Sequence, residues 1–244
     1  MISVCMATYN GGKYLRQQID SILPQLQLDD ELIISDDGST DNTFDIIKSY
    51  NSPNIKLYHN NFRNHILNFE FLLSVASGDY IFLSDQDDVW FPNKIPTMMH
   101  ALKEHDLVCS DCVVTDENLD PDGRLFMTES PEKISGFMTN LWHNHYLGCC
   151  LAFKRSIRDI ALPFPKGLIT HDTWLGLVAE MYGNPVFITE KLIYFRRHDQ
   201  NQSSTLCPSR LSWGEKISYR LVLIMGILKR LKYLFRKSSP RKIT

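Results

Sequence analysis

The chain has 244 residues, 43% of them hydrophobic and 22% charged, which excludes a disordered chain and suffices for one large domain, or one domain with an appendage. The net charge of -2 hides an asymmetry: residues 209–244 hold ten Lys or Arg against one acid, Glu215, while residues 1–208 hold 16 basic and 27 acidic groups, so the two parts are expected to meet different partners. The longest apolar stretch near the end, Leu221 to Leu228, is broken by Gly226 and is far shorter than the roughly 20 residues that span a bilayer; with no basic leader or cleavage site in MISVCMATYN, a cytoplasmic protein is expected.

In chain order, residues 2–7 read as a buried strand that TYNGGKY breaks, and Leu15, Ile19, Ile22 and Leu23 then recur at helical spacing. The pattern repeats with a strand over Leu32 to Ile34, a polar turn, and a helix presenting Phe44, Ile47 and Tyr50. A short strand, IKLYH, follows, then a helix carrying Phe69, Leu72, Leu73 and Ala76, then a strand from Tyr80 to Leu83. Strands alternating with helices predict an α/β fold with a mainly parallel sheet. Residues 116–136 read as loop, and from about residue 107 the alternation loosens into short mixed elements. Cys109 and Cys112 lack a second pair at zinc spacing, so the six cysteines are expected to be free thiols.

Three polar clusters directly follow strands: Thr8-Tyr9-Asn10, Asp36-Asp37-Gly38-Ser39 and Asp85-Gln86-Asp87. In an open α/β sheet ligands bind outside the carboxyl ends of strands, so the three clusters should line one crevice. Asp85 and Asp87, at i and i+2, can face one hard divalent cation such as Mg2+ or Mn2+, although Asp also favours a plain solvated turn. Ser39 to Asp41 suit a turn and helix cap, leaving Asp37 free to accept from a base N–H or a ribose hydroxyl. No Walker-type or dinucleotide-binding glycine motif occurs, so any phosphate would be held by metal and by basic groups such as Arg196, Arg197 and His198. Asp172 opens a helical segment beside His171 and Trp174; it is either a first-turn acid that suits the helix dipole or a general base.

The ordered set ISVCMATYNGGKYLRQQIDSIL, ELIISDDGSTDNT, SGDYIFLSDQDDVW, LGCCLAFKR, THDTW and FRRHDQNQS resembles glycosyltransferase family 2 over residues 1 to about 205, with its last three motifs similar to bacterial rhamnosyltransferases and O-antigen or capsule enzymes. The resemblance implies the GT-A fold, a Rossmann-like sheet flanked by helices. It implies that Thr8, Tyr9 and Asn10 border the nucleobase, that Asp37 binds base or ribose, and that Gln86 and Arg196 belong with the donor set. Asp85 and Asp87 fall on the family's D-x-D, with Asp87 the direct ligand of Mn2+ or Mg2+ and Asp85 nearer the ribose or a metal-bound water. His198 is the late histidine at metal or diphosphate, Asp172 the catalytic base of an inverting transfer, and Trp90, Gly148, Cys149, His171 and Trp174 the acceptor and sugar pocket. The donor would be a nucleotide-diphosphate sugar, dTDP-rhamnose or a UDP-hexose, and the acceptor a glycan carried on a polyprenyl diphosphate. Asp199 stands where that subgroup has glycine, and Gln202-Ser203-Ser204 is more polar than its usual ending.

The implied division is a catalytic domain over 1–208, with a nucleotide-sugar half at 1–106 and an acceptor half at 107–208, followed by a basic amphipathic helical tail at 209–244. That tail would either lie on the membrane surface, holding the enzyme peripherally at the inner face of the cell membrane, or pack on the domain with a solvated basic face. No nucleic-acid recognition fold accompanies it. Two other functions share these features: a sugar-nucleotide pyrophosphorylase, which needs a glycine-rich basic loop after the first strand, and a non-catalytic nucleotide-sugar-binding membrane scaffold.

Overall fold

The computed structural model describes residues 1–199, 201 and 212–238, with side chains to residue 231. In chain order the first half comprises β1 (Ile2–Thr8), α1 (Leu15–Ile22), β2 (Glu31–Asp36), α2 (Thr43–Lys48), β3 (Ile55–His59), α3 (His65–Val75), β4 (Tyr80–Ser84), β5 (Val89–Trp90) and α4 (Lys94–Ala101). The second half comprises β6 (Leu107–Thr115), β7 (Pro121–Leu125), α5 (Pro131–Ile134), α6 (Phe137–Trp142), β8 (Leu151–Lys154), α7 (Arg155–Ala161), α8 (His171–Tyr182), β9 (Pro185–Arg196) and α9 (Trp213–Ser238).

One sheet, ordered β3-β2-β1-β4-β8-β6-β9-β5, runs through both halves. β3, β2, β1 and β4 are parallel, β8 is inserted antiparallel to β4 and β6, and β9 runs parallel to β6. The near-continuous apolar runs of β1, β2 and β4 fit strands covered on both faces: Val4, Cys5, Met6, Leu32, Ile33, Ile34, Phe82 and Leu83 are fully buried. α1 returns Leu15, Ile19 and Ile22 to the core at helical spacing. α3 starts where the Asn64 side chain accepts from the backbone N–H groups of Ile66 (2.9 Å) and Leu67 (3.1 Å), an N-cap.

Two local expectations are corrected. α2 buries Thr43, Ile46 and Ile47 rather than Phe44 and Tyr50; the helix stops at Lys48, so Tyr50 lies past its end, where its hydroxyl donates to Asp20 (2.6 Å). The segment expected as loop contains β7 and α5. β7 is exposed along its length and, among the described residues, pairs with β6 alone, on the stretch of β6 past its pairing with β8, so backbone hydrogen bonding forms it without any apolar pattern.

The topology determines where chemistry collects. β1, β2 and β4 end at the same sheet edge, as does β9, while antiparallel β8 begins there. The ends Thr8, Asp36, Ser84 and Arg196 therefore meet the tight turn Gly148–Cys150.

Candidate active site

The three polar clusters do converge, by a web of side-chain to backbone bonds. Gln86 Oε1 accepts from Tyr9 N (2.8 Å) and its amide donates to Tyr9 O (3.0 Å). Asn10 adopts φ 49°, and its Oδ1 accepts from Thr40 N (2.8 Å). A Cβ on Gly11 would stand 2.2 Å from Gln86 Oε1 and one on Gly12 2.0 Å from Asn42 Oδ1, so the double glycine lets these loops approach. The backbone N–H groups of Asn10, Gly11 and Gly12 donate to Ser39 Oγ, Thr43 Oγ1 and Asp41 Oδ2. This loop is therefore cross-linked to the one after β2 and offers no open cradle of donors for a triphosphate.

Asp36 and Asp37 divide their work differently from the expectation. Asp36 is fully buried and accepts from Thr8 Oγ1 and from Ser39 Oγ and N. Asp37 is not the free acceptor that the sequence suggests: its carboxylate takes the backbone N–H groups of Phe62, Arg63 and Asn64. With three of about four lone-pair sites engaged, Asp37 holds the entry to α3.

The acidic centre follows β4. Asp87 Oδ2 lies 2.9 Å from His198 Nε2 and accepts from the Asn201 amide at 2.9 Å. The His198 ring leans on Tyr14 at 4.8 Å between centroids. Asp88 is fully buried; its Oδ1 accepts from Arg196 N (3.0 Å), while Oδ2 has no partner. Carboxylate oxygens of Asp85 and Asp88 and the Cys149 sulfur lie within 4.8 Å of one another. Burial, and then the charges of Asp87 and Asp172, push the Asp85 carboxyl up to about 7. Burial and the Asp87 and Asp85 charges likewise hold Asp88 well above the usual carboxylate range. Crowded carboxylates with an orphaned buried oxygen fit a divalent cation, whose charge would relieve both the repulsion and the missing contact.

Below this centre Lys94 is fully buried, and its ammonium donates to Cys149 O at 2.6 Å and faces the Trp90 ring at 4.6 Å. It ties the Gly148–Cys150 turn to α4. Gly148 faces His171, whose Nε2 would be 2.8 Å from an added Cβ. His171 stacks on Phe69 at 4.0 Å, and burial pulls its imidazole down to about 3, so it is neutral.

Asp172 stands in the first turn of α8, its carboxylate accepting from Thr173 N at 2.6 Å. Burial pushes it up to about 6. Its charge is one of the causes that raise the Asp85 carboxyl, after burial and the charge of Asp87. Thr170 and Thr173 share a hydroxyl contact at 2.7 Å, and Thr170 in turn meets the Tyr219 hydroxyl of α9 at 3.0 Å.

Three expected site residues are corrected. Trp174 is fully buried and donates its indole N–H to Ala161 O (3.0 Å); two residues along a helix from Asp172 it points about 200° away, into the core. Trp90 is also a core ring, packed on Phe82. Arg196 is only 3% exposed: its guanidinium donates to Asp87 O, Glu117 O and Gln17 Oε1 and lies 4.4 Å over the Tyr14 ring, so it braces the site rather than reaching a phosphate. Cys149 is buried too, reaching the acidic centre through its sulfur alone. The five described cysteines are free thiols, as expected; Cys207 and Gln202-Ser203-Ser204 lie outside the described residues.

Asp88, Asn201 and Tyr219 are contributors that the sequence reading left out. Asp88 had a signal, as the third carboxylate in four residues. Asn201 and Tyr219 had none, because their partners Asp87 and Thr170 are 114 and 49 residues away.

With the sheet order and the strand-end carboxylates in place, the family model for Glycosyl transferase family 2 matches residues 3–160. The chain belongs to glycosyltransferase family 2 and has the GT-A fold. It is 29% identical over 216 residues to the dTDP-rhamnosyl transferase RfbG of Shigella flexneri, covering 81% of this chain and 73% of that one. It is 34% identical over 109 residues to the glycosyltransferase GlyG of Streptococcus pneumoniae serotype 4, covering 43% of this chain and 36% of that one. Among solved structures, TarS 1-349 of S. aureus in complex with UDP-GlcNAc superposes with a TM-score of 0.71 at 18% identity, covering 93% of this chain and 66% of TarS. Glucosyl-3-phosphoglycerate synthase of Mycobacterium tuberculosis, in complex with Mn2+, UDP and glucosyl-3-phosphoglycerate, gives 0.57 at 20% identity, covering 94% and 79%.

Proposed function

We propose that this glycosyltransferase moves rhamnose or a hexose from a nucleoside diphosphate donor to a hydroxyl of a growing cell-surface polysaccharide, with inversion at the transferred carbon. One observation carries the reading: a half-buried carboxylate in the first turn of α8, Asp172, whose charge helps raise the Asp85 carboxyl of the strand-end cluster. The relation to RfbG favours a dTDP-rhamnose donor, with a UDP-hexose as the other candidate. Residues 1–106 are assigned to the donor, with Thr8, Tyr9, Asn10 and Gln86 around the base and ribose, and residues 107–208 to the acceptor. The acceptor would be a polyprenyl-diphosphate-linked glycan met at the cytoplasmic face of the membrane.

Mn2+ or Mg2+ would be held by Asp85 with the unpartnered oxygen of Asp88 beside it, and by Asp87, which His198 and Asn201 orient; when bound it would neutralise charge on the departing diphosphate. Cys149 is a soft ligand ill-suited to either ion. Asp172, relieved of its proton above about pH 6, takes the proton of the acceptor hydroxyl as that oxygen attacks. Neutral His171 and Gly148 floor the pocket beside it. The pyrophosphorylase reading loses ground because the N–H groups of the Asn10 to Gly12 loop are already engaged. The NMR-determined anomeric configuration of the product tests the mechanism: it should be opposite to the donor's, and retention would refute Asp172 as base in a single displacement.

Tyr219 is a positioning residue in this scheme, acting on Asp172 through Thr170 and Thr173. Tyr219→Phe removes the hydroxyl that meets Thr170 at its N–H, its Oγ1 and its carbonyl, each contact worth about 0.5–1.5 kcal/mol, so kcat should fall roughly 2- to 10-fold or more with the donor KM unchanged. A shift of the acidic limb of the pH-rate profile should accompany the fall; an unmoved limb would leave Tyr219 a purely structural contact.

A further inference from the structure

One side of α9 packs on the domain, and its outward face is not simply basic. Leu223 and Ile227 face inward and are buried. Gly226 allows the close approach, since a Cβ there would meet Trp174 and Pro165 at 2.8 and 2.9 Å. Tyr182 donates to Ile227 O at 2.6 Å, and Arg230 donates to the carbonyls of Ala161 and Pro163. On the other side Trp213, Ile217, Leu221, Met225, Leu228 and Leu231 follow one another at spacings of four and three and are 40% to 77% exposed. At about 1.5 Å per residue they form an apolar stripe roughly 27 Å long.

Its surroundings identify what covers it. Trp142 of α6, 52% exposed, lies alongside, with Arg220 4.5 Å above its ring and donating to its carbonyl at 2.8 Å. Lys216 sits 5.7 Å over the Trp213 ring. Exposed Trp edged by Lys and Arg suits the headgroup level of a bilayer, where an apolar body meets acyl chains and cations meet lipid phosphates. The tail carries ten basic residues and one acid, which an anionic leaflet complements. A second copy of the chain would instead bring two such tails together, against like-charge repulsion. Among the described residues no helix is long and apolar enough to cross a membrane, so the helix lies in the interface.

We infer that the outer face of α9, continued by Trp142 of α6, is the surface on which this protein seats flat on an anionic membrane. The inference deepens the membrane contact proposed above by naming the surface. Through Tyr219 and Thr170 the same helix is hydrogen-bonded to the turn that carries Asp172, so the seat and the base are linked within one hydrogen-bonded assembly.

The test is co-sedimentation of the full chain with phosphatidylcholine vesicles, with and without phosphatidylglycerol, without donor or acceptor. Binding should require phosphatidylglycerol, weaken with salt, and fall at least about tenfold in Leu221→Glu/Met225→Glu, since each buried charge is disfavoured by more than the 1.4 kcal/mol that a factor of ten represents. Both positions are exposed, so an unchanged thermal melt should accompany the loss. Equal partition onto the two vesicle types, or binding unaffected by the double variant, would overturn the inference. So would a lipid-free dimer that the double variant dissociates, because the stripe would then be a self-interface. None of these outcomes bears on the transferase chemistry, which is read from turnover.

Discussion

Asp172→Asn should lower kcat by about 10²- to 10⁴-fold, the contribution typical of a positioned general base, while leaving donor affinity intact. The wild-type rate should rise with pH up to about 6, where Asp172 loses its proton, and the variant should lose that limb. Stability supplies an independent sign. The folded chain holds the Asp172 proton up to about pH 6 against an ordinary 3.8, so between those values the folded state binds more protons than the unfolded. Asp172 thus favours the fold fully below about 3.8, and that contribution is lost as pH rises through 6. Asn mimics the uncharged form, so the variant should melt higher than wild type at pH 7. A drop in activity together with a lower melting temperature would indicate a disrupted helix start instead of a missing base.

Asp87→Ala should be the second severe loss. It removes the carboxylate that His198 and Asn201 grip at 2.9 Å and, on the proposed scheme, a ligand of the cation. Metal stabilisation of a leaving diphosphate is worth several kcal/mol, at 1.36 kcal/mol per tenfold, so turnover should fall on the order of a hundred- to a thousandfold. Chelation of wild type with EDTA should give a similar loss, restored by Mn2+ or Mg2+. Calorimetry separates binding from chemistry: nucleoside diphosphate affinity in wild type should depend on the metal, and in Asp87→Ala that dependence should vanish. Metal-independent turnover equal in both proteins would remove the cation from the mechanism and leave the Asp87–His198–Asn201 contact as architecture.

The sequence made the first four strands and the edge they share readable, because apolar runs of β1, β2 and β4 and the helical spacing of Leu15, Ile19 and Ile22 are local patterns. Placing polar clusters after those strands was enough to predict that the clusters meet. What each side chain does there depended on partners distant in sequence. Asp37 is taken up by the backbone at 62–64, and Arg196 reaches Gln17, 179 residues away, so neither engagement leaves a local trace. Trp174 looked like a pocket residue because it neighbours Asp172 in sequence, yet helix geometry sends it to the core. The exposed face of α9 was half visible: charge counting found the basic tail, but which apolar residues stay outside depended on Gly226 docking against Trp174.

The most direct test of the central claim is a donor screen with purified protein, Mn2+ or Mg2+, a panel of nucleotide sugars including dTDP-rhamnose, and nucleoside diphosphate release as the readout, with Asp172→Asn and Asp87→Ala alongside. The account predicts release that favours one donor, requires metal and collapses in both variants. Release undiminished in both variants, or no metal-dependent binding of any nucleoside diphosphate by the folded wild-type chain, would contradict it.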